Sequence, residues 1–466
     1  VSGSIGALGI PASLEVMQSN GGVIPVPSAQ RFPVRLASSG PTAGVMGSAL
    51  LARKIGRANL ITLAMGGTST DVSLVVDGKA EYVSEQEVDG FPIRSVGVDI
   101  RSIGAGGGSI ATLDRTGALR VGPRSAGAEP GPACYGWGGE EPTVSDADLV
   151  LGFLSPENFC GGRVTLQPDL ARKALEDRIA RPRETSAEAA ALGIIQLCVA
   201  SMVGAVRNIT MERGHDPRDF TLVPFGGAGP GHATLVAAEL NIPEVVILKD
   251  PGLLSAKGLL TSNYRSDVYR TWLTSLDDLD CEAIGALLAT LEAEAVAELP
   301  PTTDPARLRI RRVLEMCYEG QENVVPVELE ELPLTPAALP HLASELERRF
   351  RGIFGFVPKG RRPQVLHVRV FAESLVGGEN LVASSGEAPP GIRTPAPSST
   401  RQVLFPGQHA RIETGIYDRE ALSPGDSFVG PAIVEENYST TVILPGQSVI
   451  VDADGNLVVR TGKRAA

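Results

Sequence analysis

This 466-residue chain lacks the marks of several protein classes. Its five cysteines (Cys134, Cys160, Cys198, Cys281 and Cys317) are scattered and odd in number, with no Cys-x-x-Cys pair and no His/Cys cluster. That argues against a disulfide framework and a structural zinc site, and a reducing cytoplasm fits best. There is no block of Lys or Arg and no interleaving of aromatic with basic residues, while the net charge is −12. A nucleic-acid footprint needs the opposite sign. No basic n-region precedes an apolar segment at the start, so no signal peptide is expected. Residue 1 is Val rather than Met, and the first residues read as if they lay inside a domain. The longest apolar stretch, 189–206, contains Gln196 and Ser201. A bilayer span needs about 20 clean apolar residues, so this stretch is predicted to be a buried helix.

What the chain has is glycine in strategic places and 43% hydrophobic residues, enough for large cores. The length allows two to four domains. The apolar run Leu60-Ile61-Thr62-Leu63-Ala64 leads into Met65-Gly66-Gly67-Thr68-Ser69-Thr70-Asp71-Val72. This reads as a buried strand entering a turn that offers backbone N–H groups, hydroxyls and one carboxylate, the set a nucleotide phosphate and its metal require. A second loop, Gly104-Ala105-Gly106-Gly107-Gly108-Ser109, carries four glycines in five residues. That costs folding entropy and implies a close backbone approach. A third, Phe225-Gly226-Gly227-Ala228-Gly229-Pro230, precedes a helix. It suits either anion binding at a helix N-terminus or tight helix–strand packing. Three such loops suggest one composite nucleotide cleft.

Around them the pattern predicts a helix from Ser39 to about Lys54, with small residues for close packing, and strands near 59–64 and 72–76. An Asp77-Gly78 hairpin turn and strands at 110–113 and 118–121 follow. Residues 122–146 read as a long ordered loop. Helices are expected at 169–180, 186–212 and 231–240, with strands at 221–225 and 245–248. That order implies an α/β layer with a parallel element. After Asn263 come two amphipathic helices, 276–298 and 335–352, with strands 308–317, 324–329 and 365–372. Residues 376–402 read as a linker, and 403–460 as short strands between Pro-Gly and Asp-Gly turns. The division is 1–264, 265–376 and 377–466. His215 and His232 read as structural histidines, and Cys134 as a buried thiol rather than a nucleophile. Asp146 and Asp148 are helix-cap or metal carboxylates, with capping expected for at least one.

Together these stretches resemble one family, the large (A) subunit of the hydantoinase/oxoprolinase group, related to the ATP-dependent acetone and acetophenone carboxylases. The resemblance runs nearly end to end. It covers Gln18-Ser19-Asn20-Gly21-Gly22, Ser39-Gly40-Pro41-Thr42-Ala43-Gly44 and the three glycine loops. It continues through Val121-Gly122-Pro123-Arg124-Ser125-Ala126-Gly127-Ala128, Pro130-Gly131-Pro132-Ala133-Cys134-Tyr135-Gly136 and Gly430-Pro431-Ala432-Ile433-Val434-Glu435-Glu436. The resemblance implies an actin/hexokinase-like α/β ATPase lobe, then a small α+β module and a C-terminal all-β module. It implies ATP and Mg²⁺ as cofactors and a small cyclic amide, such as a hydantoin or 5-oxoproline, as substrate. ATP would activate the amide carbonyl by phosphorylation. A separate hydantoinase B-type subunit is the implied partner, in a cytoplasmic hetero-oligomer. Implied nucleotide-binding residues are Gly66, Gly67, Thr68, Ser69, Thr70, Gly106, Gly107, Gly108, Gly226, Gly227 and Gly229. Thr68 and Asp71 would be catalytic, and Asp71 would hold the metal. An ATP-dependent carboxylase subunit and a non-catalytic scaffold lobe are the alternatives.

Three departures accompany the resemblance. The family's N-terminal Asp-x-Gly-Gly-Thr loop has no counterpart here, so an N-terminal lobe on a separate chain is one expectation. Ala64 stands where the family usually has Asp, and Ala64→Asp is expected to raise nucleotide turnover if the rest of the site is intact. Gly231 stands before His232, where a larger apolar residue is common.

Overall fold

The computed structural model describes residues 2–9, 14–83, 85–88, 90–321, 324–330, 332–375 and 391–462. The chain forms two compact units, each built from two separate stretches: Val1–Ser39 with Thr261–Gly378, and Gly40–Leu260 with Glu379–Ala466. These are not the three consecutive segments read from the sequence. The physical reason is strand pairing. Val23 pairs with Tyr264, which draws the first residues into the smaller unit. Leu457–Arg460 pairs antiparallel with Glu244–Ile247, which draws the end of the chain into the larger one.

The smaller unit is a six-stranded sheet in the order Glu15–Met17, Val23–Pro25, Tyr264–Ser275, Pro363–Ser374, Leu308–Tyr318, Val325–Glu328. The two expected helices are Cys281–Ala297 and Leu339–Phe354. They bury Leu288, Leu291, Leu346 and Phe350 against Leu314, Met316, Val368 and Val370. Tyr264–Ser275 is a long strand that the sequence reading missed. Its other face carries Arg265, stacked 5.0 Å over Phe371, and Tyr269, lying under Arg369 at 5.0 Å. Cation–aromatic contacts let charged residues alternate in a strand without apolar partners.

The larger unit is a nine-stranded mixed sheet. Its order is Ile100–Ile103, Thr70–Val76, Leu60–Met65, Thr221–Phe225, Glu244–Ile247, Leu457–Arg460, Ser448–Val451, Ser427–Val429, with Lys79–Ala80 beside Thr70–Val76. Thr221–Phe225 runs parallel to both Leu60–Met65 and Glu244–Ile247, as the strand–loop–helix–strand pattern implies. Asp77 and Gly78 both take positive φ, 50° and 70°, in the turn that the sequence marked. A four-stranded sheet, Ser399–Val403, Ile412–Asp418, Ala432–Glu436 and Ser439–Ile443, forms the C-terminal module.

One face of the large sheet presents Ile61, Leu63, Met65, Val72 and Leu74 to a core shared with helices Val144–Leu151, Ala187–Glu212 and Gly229–Leu240. The other presents Leu60, Val75, Val223 and Phe225 to the helix Ser39–Lys54. Gly47 admits close packing of that helix on the helix Leu254–Leu260, since a Cβ would lie 3.1 Å from Gly258 Cα. Among the described residues one helix, Ala187–Glu212, is long and apolar enough to cross a membrane by length and composition. In this fold Ile194, Ile195, Cys198, Met202 and Val206 are fully buried in the core.

Candidate functional site

The first glycine loop is tighter than its sequence suggests. Met65 pairs with Thr70, so only residues 66–69 turn, and Thr70 and Asp71 lie on the next strand. The Thr70 hydroxyl donates to Ala105 O, and the Ser102 hydroxyl donates to Asp71 Oδ1. Burial raises the Asp71 pKa and the Ser102 hydrogen bond opposes the rise. The Gly66 N–H closes the turn on Ser69 O at 3.1 Å. Among the described residues, the N–H groups of Gly67, Thr68 and Ser69 make no hydrogen bond, nor do the Thr68 and Ser69 hydroxyls. Consecutive free donors of this kind form an anion-binding concavity. Ala64 sits directly across the strand pair from Asp71, so an aspartate there would bring two carboxylates side by side.

The second loop holds the first in place. Gly107 N–H donates to Gly66 O at 3.0 Å and Gly108 N–H to Gly67 O at 2.6 Å. A Cβ on Gly106 would lie 2.6 Å from both Thr68 C and Thr68 N. The close approach predicted for these glycines is therefore made to the 66–69 backbone. The third loop leaves the strand Thr221–Phe225 with Gly226 at φ 80° and enters the helix Gly229–Leu240. Ala228 N–H donates to Met65 O at 3.1 Å, and a Cβ on Gly229 would lie 3.1 Å from Leu63 O. Tight packing against the first loop is thus part of its glycine requirement.

All three loops border one cavity of ≈ 220 Å³. Gly66, Gly67, Gly107, Gly227 and Ala228 line one side, and Phe153, Leu154, Phe159 and Val442 supply apolar wall. The cavity's buried charged pair joins a histidine that the sequence read as structural to a carboxylate that it read as a cap or metal ligand. His232, 1% exposed, and Asp148, 5% exposed, face each other with Nε2 3.4 Å from Oδ1. His232 Nδ1 lies 3.2 Å from Ala228 O. A carbonyl only accepts, so Nδ1 carries a proton, and Nε2 needs a second one to face a carboxylate. Burial works against the imidazolium, but the Asp148 charge and the Ala228 carbonyl outweigh it, and the His232 pKa is raised. Neither Nε2 nor Asp148 Oδ1 has a hydrogen-bond partner that meets good geometry.

Asp146, by contrast, caps. Thr143 N–H donates to its Oδ2 at 2.8 Å and Cys134 N–H to its Oδ1 at 2.7 Å, in a capping box that starts Val144–Leu151. Ser145 N–H donates to Gly107 O at 2.8 Å, which ties that helix start to the second loop. Cys134 is fully buried, with its thiol pKa pushed up by burial and by Asp146. His215 packs edge-on to Phe220 at 5.5 Å, away from the cavity lining. No local signal joins Asp148 to His232, because the fold alone brings their two helices together.

Glu436, on the C-terminal sheet, also lines the cavity. Burial pushes its pKa up to about 7, against the pull of Arg419. Arg419 donates instead to Gly455 O at 2.7 Å. A carboxyl whose folded pKa exceeds its unfolded value contributes stability below the unfolded pKa and loses it as pH rises through the folded one. Stability is therefore expected to fall between about pH 4.5 and 7 on this account. Glu436→Gln should flatten that slope, measured as urea midpoints across the window. An unchanged slope would show that Glu436 does not set it.

A mixed α/β unit with three glycine loops converging on one apolar cavity defines the class of this protein. Its family follows from comparison. The chain belongs to the hydantoinase/oxoprolinase family: the Hydantoinase/oxoprolinase profile matches residues 1–268, and the Hydantoinase/oxoprolinase C-terminal domain matches 381–458. It is 33% identical to the caprolactamase subunit alpha of Pseudomonas jessenii, over 98% of this chain and 66% of that subunit. It is 32% identical to the acetophenone carboxylase gamma subunit of Aromatoleum aromaticum, over 90% of this chain and 59% of that one. The ATP-dependent caprolactamase structure from P. jessenii superposes with a TM-score of 0.80 at 31% identity, covering 99% of this chain and 69% of that one. A nucleotide-free acetone carboxylase structure gives 0.81 at 25% identity, covering 99% and 66%. The chain spans about two thirds of the length of these relatives.

Proposed function

We propose that this chain is the ATP-using subunit of a cyclic-amide hydrolase that acts with a B-type partner subunit. The observation that carries it is the 66–69 loop, where Gly66 and Gly67 border the cavity and, among the described residues, the N–H groups of Gly67, Thr68 and Ser69 are unbonded. An unstrained amide is a poor electrophile. Transferring a phosphoryl group to its oxygen makes that oxygen a leaving group for water attack, and the protein's part is positioning and charge neutralisation. In this reading the larger unit is an actin/hexokinase-like ATPase lobe. The 66–69 loop takes phosphate, 226–229 takes the adenosine, and Thr68 and Ser69 add hydroxyl donors. Gly106 and Gly108 act from behind by fixing the phosphate loop. Five free cysteines fit a cytoplasmic setting.

Mg²⁺ is the metal that ATP brings. Among the described residues no group of three His, Cys, Asp or Glu side chains is placed to hold a metal. Asp71 fits as a single carboxylate ligand, and phosphates and water would supply the rest, as Mg²⁺ commonly allows. Asp71→Ala is expected to weaken Mg-ATP binding at least tenfold by calorimetry, and unchanged affinity would remove Asp71 from the site. Carboxylation is the second reading, favoured by the similarity to the acetophenone carboxylase subunit. With the partner subunit present, ADP release that depends on a lactam and yields the ring-opened amino acid supports hydrolysis. ADP release that depends on bicarbonate and a ketone overturns it.

A further inference from the structure

The third glycine loop is held from behind by a turn, and the turn is held by the C-terminal sheet. Gly226 N–H donates to Pro251 O at 3.1 Å, in the turn that follows the strand Glu244–Ile247. Asp250 enters that turn at φ 57°, a left-handed conformation that a residue other than glycine keeps only where its surroundings impose it. The surroundings here are the hairpin that joins Ala432–Glu436 to Ser439–Ile443. A Cβ on Gly252 would lie 2.9 Å from Tyr438 Cβ, and one on Gly227 would lie 3.4 Å from Tyr438 O. Beside this contact the Asp250 N–H donates to the Glu436 carboxyl.

That carboxyl belongs to a network with one link missing. Glu436 Oε1 and Arg419 Nη1 are both buried, and among the described residues neither has a hydrogen-bond partner. Arg419 is 4% exposed, and its Nη2 donates to Gly455 O at 2.7 Å and to Ile247 O at 3.4 Å, at the end of the strand that feeds the turn. A bond from Nη1 to Oε1 would therefore join Ile247 to Asp250 through two side chains. Buried groups left unpaired are costly, and charge on Glu436 favours making that bond. Other charges around Glu436 are already answered. Glu420 pairs with Lys249 at 3.5 Å and Asp250 with Lys257 at 2.9 Å. Asp452 acts on Arg419, and Arg163 lies 5.8 Å from the Tyr438 ring. Asp148, His232, Tyr135 and Cys160 line the cavity that Glu436 also borders. Burial, opposed by Arg419, leaves Glu436 titrating at about 7.

We propose that Glu436 is a positioning residue for the nucleotide: ionised, it bridges Arg419 and the Asp250 N–H, locks the 250–252 turn, and so fixes the Gly226 N–H and the loop behind it; protonated, it lets the turn relax. This rests on the assignment of 226–229 to adenosine in the function proposed above. Glu436 need not touch the nucleotide, because its charge acts through Asp250 and Pro251. A nucleotide that binds the fixed loop better than the relaxed one favours the ionised form. Its affinity therefore rises with pH through the neutral range. A simple repulsion between the Glu436 carboxylate and a phosphate has the opposite sign, so uncharged adenosine is the cleaner probe.

The test follows the Gly226 amide resonance of the ¹⁵N-glycine-labelled full chain from pH 6 to pH 8, and adenosine affinity by calorimetry at both ends. The Gly226 signal is expected to titrate with a midpoint near neutrality, and adenosine to bind at least threefold tighter at pH 8. Glu436→Gln should abolish both responses and leave the weaker affinity at either pH. Asp250→Gly tests the route. Glycine takes the left-handed conformation freely, so the turn no longer needs Glu436 and both responses should shrink, with the tighter affinity kept at pH 6. A Gly226 signal that ignores pH, or that titrates equally in Glu436→Gln, overturns the proposal. Full responses in Asp250→Gly overturn it too, since Glu436 would then act by direct contact. Adenosine that binds equally at both pH values sinks this inference alone. If Gly226 titrates as expected and adenosine does not bind at all, the clamp on the loop stands and the proposed function falls.

Discussion

Asp148→Ala is expected to destabilise the larger unit by about 3–5 kcal/mol, because it leaves the His232 imidazolium buried without its counter-charge. The pair lies at 3.4 Å with both side chains almost fully shielded from water. Its contribution has a defined pH dependence. The His232 pKa is raised on folding, against burial, by Asp148 and by the Ala228 carbonyl. The stabilisation is therefore complete below the unfolded histidine pKa of about 6.5 and is lost as pH climbs through the higher folded value. The gap between wild type and Asp148→Ala should be widest at mildly acidic pH and close on the alkaline side. Denaturant melts at several pH values would read it directly. A gap that widens with pH would mean the pair is held neutral.

Gly226→Ala is expected to cost about 3 kcal/mol and to abolish ATP binding. Gly226 has a φ of 80°, a region that costs an L-residue about 1–2 kcal/mol. The added Cβ would also press into the Met65 carbonyl. That carbonyl accepts the Ala228 N–H, so the third loop must shift away from the strand that carries the first. A contrasting control is Gly138→Ala, whose Cβ meets nothing within 4 Å at φ 98°. It should show the backbone cost while sparing ATP binding. Equal ATP affinity in Gly226→Ala and wild type, by calorimetry, would remove the 226–229 loop from the nucleotide site.

The elements that the sequence predicted best are those whose signal is local. Leu60–Met65, Thr221–Phe225 and Ala187–Glu212 are uninterrupted apolar runs, and Asp77-Gly78 is a turn that only two positive-φ residues make. Tyr264–Ser275 was missed because the sheet face away from its helices carries Arg265, Asp267 and Tyr269, a pattern without the usual apolar alternation. The two-unit division was illegible because it depends on Val23 meeting Tyr264 and Leu457–Arg460 meeting Glu244–Ile247. The glycine loops were legible as loops, but not the fact that one braces another. Thr70 and Asp71 looked like turn residues because strand pairing was what assigned them. The charged floor of the cavity was invisible, since His232 and Asp148 are each unremarkable on their own helices.

The pairing of Leu457–Arg460 with Glu244–Ile247 also sets an order of events during synthesis. Until the ribosome has made Arg460 and released it from the exit tunnel, Glu244–Ile247 waits as the open edge of a partly built sheet. Unpaired edges template association with other chains, and contacts this distant in sequence form late. A nascent chain carrying all three glycine loops in full would still lack the strand that covers this edge. Its safe passage depends on how soon Leu457–Arg460 arrives, or on a chaperone that covers that edge until then.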